Sequence, residues 1–238
     1  MDFPLRNAAY SSTLVAAAVF FLPTLLAGSA QAHQKIADTF SPSQSYDPGA
    51  GENVLGPLDP FGPVQIAEAF TPAGSDYTLD FIDGAFSHIK AYPNINGANA
   101  ITLTLQTSNM NGVPSGNALE IWTLTDLPQF PHGGPIATAS SLLHPVLKGG
   151  ETYWVVASPG DETASMVWNS NVMDSVGPVS YNLYGYWQTQ QNPVGAFDVY
   201  ASPLAPAVPE PATTVPFVLG ALGIGVLVVT AKRKKQNA

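Results

Sequence analysis

The sequence predicts an all-β protein: an antiparallel β-sandwich or jelly-roll-like domain with a helical segment at each end. Three observations point there. Short alternating or apolar runs recur through the middle of the 238-residue chain. The 21 Gly and 22 Pro residues separate those runs with turn chemistry. Between residues 33 and 208 no stretch carries a capped 3.6-residue period.

Taken in order, Tyr77-Thr78-Leu79-Asp80-Phe81 alternates apolar and polar residues, and Ile101 to Gln106 does so more cleanly, with three aliphatics on one face. Leu119 to Leu124 continues the pattern. Thr152 to Ala157 is apolar on both faces, as a central strand covered on both sides would be. Met166 to Asn169 and Phe197 to Tyr200 complete the series. Gly112-Val113-Pro114-Ser115-Gly116, Gly149-Gly150 and Pro159-Gly160-Asp161 supply turns between them. The β-domain is expected over 60–202, after an irregular segment at 33–59. A Pro-rich linker is expected at 203–212, because prolines at 203, 206, 209 and 211 favour extended chain without ladder hydrogen bonds.

The two ends read differently. Arg6, an apolar run from Leu14 to Leu26 and the small residues of Ala30-Gln31-Ala32 have the form of a signal peptide over 1–32. Signal peptidase would then release a chain beginning at His33. Thr213 to Ala231 is uncharged and would make a helix of about 28 Å, close to the hydrocarbon thickness of a bilayer. Lys232, Arg233, Lys234 and Lys235 follow at once, and such a cluster stays on the cytoplasmic side, making 232–238 a basic tail. The expected topology is an exported middle domain tied to the membrane by its C-terminal helix.

Val208-Pro209-Glu210-Pro211, the apolar helix and the basic cluster together resemble the PEP-CTERM sorting signal of Gram-negative bacteria. The resemblance implies a processing partner, an exosortase, that cuts near Pro209-Glu210-Pro211. It also implies an inner-membrane anchor with the domain in the periplasm, then a cell-surface or extracellular location in exopolysaccharide or biofilm matrix. A second resemblance spans roughly 60–202. Ile66-Ala67-Glu68-Ala69-Phe70-Thr71-Pro72, Leu103-Thr104-Leu105-Gln106-Thr107, Gly149-Gly150-Glu151-Thr152-Tyr153-Trp154, Trp168-Asn169 and Phe197-Asp198-Val199 follow the order of choice-of-anchor β-sandwich domains of type R. That family brings an anchoring logic and no catalytic residues.

Charge narrows the function classes. Charged residues are 11% of the chain and the net charge is −9. Between 33 and 208 the basic residues are Lys35, Lys90 and Lys148, against all 17 acidic residues except Asp2 and Glu210, so this segment carries −12. Nucleic acid, whose phosphates need a basic face, is not an expected partner. Without cysteine there is no disulfide, thiolate metal site or thiol nucleophile.

Catalytic signatures are missing. His33, His88, His132 and His144 stand in no metal-ligand spacing, and no G-x-S-x-G elbow or phosphate loop is present. Asp76, Asp80, Asp83 and Asp161-Glu162 read as a solvated acidic surface. They could instead hold a structural Ca²⁺, though no D-x-D-x-D-G loop organises them. No cofactor is expected.

The richest recognition candidate is Tyr181 to Asn192, where Tyr181, Tyr184, Tyr186 and Trp187 alternate with Asn and Gln amides. Aromatic faces can stack on sugar rings while amides bond hydroxyls; alternatively the rings cover one end of the sandwich. Trp122, Trp154 and Trp168 read as core residues. The leading expectation is therefore an exported, sorted surface or matrix protein without catalytic activity. A carbohydrate-binding module using 181–192 is the alternative, and a secreted hydrolase a third.

Overall fold

The structure is a computed structural model that describes residues 32–90 and 97–204. Ala30, the signal-peptide run before it, Val208–Pro211, the 213–231 helix and Lys232–Lys235 lie outside the described residues. Within them the protein is all-β. In chain order the strands are β1 (Gln34–Asp38), β2 (Tyr46–Leu55), β3 (Val64–Phe70), β4 (Tyr77–Gly84), β5 (Phe86–His88), β6 (Ala100–Ser108) and β7 (Pro114–Thr125). There follow β8 (Ala137–Ser140), β9 (Val146–Leu147), β10 (Tyr153–Pro159), β11 (Ser165–Asn171), β12 (Val176–Leu183), β13 (Tyr186–Pro193) and β14 (Phe197–Pro203).

Two antiparallel sheets pack in a sandwich-like arrangement. The smaller runs β1-β14-β4-β8, with β9 also on β4. The larger runs β5-β11-β2-β3-β10-β6-β7, and β3 additionally carries the β12–β13 hairpin. The core lies between them because strand alternation sends every second side chain inward. Ile101, Leu103 and Leu105 of β6 meet Leu79 and Ile82 of β4 and Val199 and Ala201 of β14 in one buried cluster. Trp168 sits centrally, 5.1 Å from the ring of Phe86 and 5.7 Å from that of Phe197, so one indole joins both sheets. Such aromatic pairs add about 0.5–1.5 kcal/mol each beyond burial.

Strand β10 behaves as its two-sided apolar sequence predicts. It lies between β3 and β6, pairing Val155 with Glu68 and with Leu105. Tyr153, Val155 and Ala157 enter the main core, while Trp154 and Val156 form a second buried cluster with Ala67 on the opposite face. The turn before it also holds: Glu151 N–H donates to Lys148 O, and Gly150 adopts φ +81. Tyr153 Oη accepts the Lys148 amide at 2.7 Å, which pins the turn to the strand it feeds.

The 33–59 segment is not irregular; it contains β1 and β2. β1 pairs with β14, and Lys35 Nζ lies 2.7 Å from Asp198 Oδ2 and 3.2 Å from Asp38 Oδ1. Burial works against the charge on Lys35. The hydrogen bonds and charges of Asp198 and Asp38 overcome it and hold the ammonium protonated well above the ordinary lysine range. β2 contains Pro48, Gly49 and Gly51, which read as breakers. Gly51 is there for close approach: a Cβ would lie 2.3 Å from Trp168 O on the adjoining β11.

Other boundaries also move. Pro203 closes β14 opposite Tyr77 instead of opening the linker. Pro114-Ser115-Gly116 begins β7, irregularly paired with β6, and Gly116 N–H donates to Gln106 Oε1 at 2.8 Å. Trp122 is only half-buried, its indole donating to Ser140 O at 2.8 Å across the open edge between the sheets.

Candidate functional site

The 181–192 segment is the body of the β12–β13 hairpin. Tyr181 pairs with Gln188, Asn182 with Trp187 and Leu183 with Tyr186. Directly paired residues share a face, and neighbours along a strand alternate. One face therefore carries Tyr181, Leu183, Tyr186, Gln188, Gln190 and Asn192. The other carries Asn182, Trp187 and Thr189.

The second face is structural. Trp187 packs on the Ala67–Trp154–Val156 cluster, Thr189 Oγ1 donates to Ser180 Oγ at 3.1 Å, and Asn182 Nδ2 donates to Gln65 Oε1 at 2.9 Å. Trp187, expected as a groove aromatic beside Tyr186, instead packs on this cluster with its ring partly exposed on the opposite face.

The first face borders a groove of about 360 Å³ lined by Glu52, Tyr181, Leu183, Gln188, Gln190 and Asn192. β2 supplies Glu52 from the opposite side. Asn192 Nδ2 donates to Tyr181 Oη at 2.6 Å and reaches Glu52 Oε1 at 3.4 Å, so one amide ties the groove's two walls. Burial and the neighbouring Glu52 charge push the Tyr181 phenol up, keeping it a hydroxyl donor at neutral pH. Gln188 and Gln190 are exposed, and Tyr186 at the open end is 76% exposed.

The hairpin turn is unusual. Tyr184 and Gly185 adopt φ +55 and +92, the left-handed pair that a two-residue type I′ turn needs. Glycine accepts this freely; a bulky residue does so at a cost. The Tyr184 ring, 75% exposed, borders a second depression of about 210 Å³ floored by Pro57, Pro63 and Pro159. Tyr184 and Tyr186 therefore flank the same tip on separate surfaces.

Beneath the hairpin lies Glu68, which sequence reasoning did not single out as a site residue. It stands in phase with Ile66 and Phe70 on β3 and is fully buried. Gly195 N–H donates to its Oε1 at 2.6 Å, and its Oε2 has no hydrogen-bond partner. Gly195 must be glycine, since a Cβ would lie 2.4 Å from the Trp168 ring and 2.7 Å from Glu68 Oε1. Burial pushes the Glu68 carboxyl up to about 8; the Gly195 bond opposes this and the Glu52 charge adds to it. The signal for Glu68 was an acid at a core-facing position. Glu52, in Gly-rich sequence, gave none.

The remaining candidates are dispersed. His33 Nδ1 lies 2.7 Å from Asp80 Oδ2 and its ring packs edge-on to Phe81. Asp76 binds Lys148, Asp80 accepts from Ser202, and Asp83 accepts from Thr138. Asp161 organises its own turn through Thr163. His144 Nδ1 contacts Leu79 O. Among the described residues no group of three or more His, Asp or Glu is arranged to hold a metal ion.

No family model matches the chain, and no curated protein matches it. The groove's own chemistry is what remains: amide and phenol hydrogen-bonding groups along one strand face, a carboxylate on the facing wall and an exposed aromatic ring at the end.

Proposed function

We propose that this is an exported envelope or matrix protein whose β-sandwich domain binds saccharide through the groove face of the β12–β13 hairpin, without catalytic turnover. The observation that carries the reading is the division of the hairpin into a packed face and a polar face, with Tyr186 and three amides aligned on the latter. Hydroxyl-rich ligands are bound by planar amides and aromatic surfaces used together. Binding is favoured over hydrolysis because Glu52 is the one carboxyl among the described residues lining the groove and Glu68, which feels its charge, is shut inside the core, whereas a glycosidase needs two carboxyls reaching one substrate.

Export and retention rest on the terminal segments. Signal peptidase releases His33, the 213–231 helix holds the protein in the inner membrane, and an exosortase-type enzyme acts at Val208-Pro209-Glu210-Pro211. The domain then reaches the cell surface or matrix.

Two experiments test this. Full-length protein is screened on a glycan array beside Tyr186→Ala and Gln190→Ala, with melting temperatures recorded. Binding lost at unchanged Tm supports the groove; turnover of any polysaccharide would contradict a purely binding role. Intact mass of the mature protein from its host, beside Glu210→Ala, tests sorting: a species running from His33 to near Pro209, lost in the variant, is the expected result.

A further inference from the structure

The groove's charge specifies its ligand further, on the reading that it binds saccharide. Glu52 is a half-buried carboxylate on the wall facing Tyr181, Gln188, Gln190 and Asn192. Among the described residues the ion pairs of Lys35 and Lys148 are made with Asp38, Asp198 and Asp76, and none reaches Glu52. Glu52 accepts a long hydrogen bond from Asn192, at 3.4 Å, and a second from the Tyr181 hydroxyl. A carboxylate offers about four acceptor sites, so with these two neutral donors Glu52 still has acceptor capacity to spare and, among the described residues, no cation beside it.

A second carboxyl lies behind it. Glu68 is fully buried, its Oε2 has no partner, and Glu52 is the charge that acts on it. The other wall contributes no cation: Tyr181, Leu183, Gln188, Gln190 and Asn192 are all uncharged at neutral pH. The segment from 33 to 208 carries −12 overall, which disfavours anionic ligands. A uronate or sulfated sugar would place its charge against Glu52 with nothing to offset it. A positively charged group would find a half-buried acceptor and offset its charge there.

We propose that the groove selects a polysaccharide of amino sugars bearing free ammonium groups, with Glu52 receiving the ammonium, Gln188 and Gln190 bonding ring hydroxyls and Tyr186 stacking on the sugar face. An ammonium presents three donors to Glu52, and the charge-assisted hydrogen bond is about twice as strong as a neutral one. An N-acyl cap removes that charge and adds bulk at the same position.

The test is calorimetric titration of the full-length protein in detergent with three oligosaccharides of equal length and linkage: glucosamine, N-acetylglucosamine and a uronic acid. The glucosamine oligomer is expected to bind about tenfold more tightly than the N-acetylated one. Added salt should weaken it alone of those two, and the uronic acid should not bind. Glu52→Gln, which keeps an acceptor for Asn192, should erase the preference; an unchanged melting curve and retained weak binding of the N-acetylated oligomer show that the fold is intact. Equal or tighter binding of the N-acetylated oligomer, or a preference that survives Glu52→Gln, overturns the ammonium assignment while leaving the saccharide reading standing. If no oligosaccharide binds, both fall.

Discussion

Trp187 and Gln188 are neighbours on β13 that face opposite ways: Trp187 packs on Trp154 and Val156, and Gln188 lines the polar groove. Stability and recognition are thereby separated within one strand, and the separation can be measured.

Trp187→Ala should lower unfolding free energy by about 2–4 kcal/mol, toward the low end of Trp truncation because the ring is partly exposed. Gln188→Ala should change it by less than about 0.5 kcal/mol, as expected for an exposed site. Urea denaturation of the two variants checks this. Equal losses would mean that the two faces do not separate stability from recognition.

Tyr184 sits at φ +55 where asparagine or glycine would be unstrained. Tyr184→Asn should stabilise the protein by about 0.5–1 kcal/mol. Because Tyr184 lies off the groove face, the same change should leave saccharide binding unaltered. A destabilised Tyr184→Asn would show that the ring's packing over Pro57 and Pro63 outweighs the backbone cost.

Glu68 makes stability pH-dependent. Its carboxyl titrates near 8 when folded against an ordinary 4.5, so between those values the folded state holds more proton than the unfolded state. Stability is therefore full below about 4.5 and falls as pH rises toward 8, with a slope of up to about 1.4 kcal/mol per pH unit. Glu68→Gln keeps an acceptor for Gly195 N–H and should flatten that slope, becoming the more stable protein at pH 8. Urea midpoints at pH 5, 6.5 and 8 decide it; identical slopes would place the charge elsewhere.

Glu120 closes the side of the sandwich. It is buried, and it accepts from Ser141 Oγ at 2.6 Å and from the Leu142 and Leu143 amides at 2.5 and 3.1 Å. Glu120→Ala should cost about 2–4 kcal/mol, since bonds to a charged acceptor are among the stronger ones and their donors lose their partner. Hydrogen exchange at Leu142 and Leu143 should accelerate. Unchanged exchange would mean that the loop is held by its exposed leucines instead.

Much of this fold was legible because burial imposes a period. Ile101, Leu103 and Leu105 could alternate only if one side of their strand faced a core, and Tyr153 to Ala157 could be apolar throughout only if both sides were covered. β2 was hidden because Pro48, Gly49 and Gly51 carry turn chemistry, while Gly51 serves the close passage of Trp168 O, a tertiary fact with no local mark. Composition brought attention to Tyr181–Asn192, but its faces depend on register, and that register is set by a Tyr184-Gly185 turn that lacks the usual Asn-Gly. Glu52 enters the groove from a strand 140 residues before Asn192 in the chain, and no spacing rule joins the two.

The most direct test follows the side-chain amides themselves. Nitrogen–proton spectra of the full-length protein, recorded while an oligosaccharide bound by it is added, resolve the Gln188, Gln190 and Asn192 amides and the Trp187 indole in one experiment. The account predicts that those three amides shift together with a single binding curve while the Trp187 indole stays in place. A shift at Trp187 with silent amides, or shifts confined to the small sheet around Phe81 and Tyr200, whose rings stack 4.3 Å apart, would contradict it.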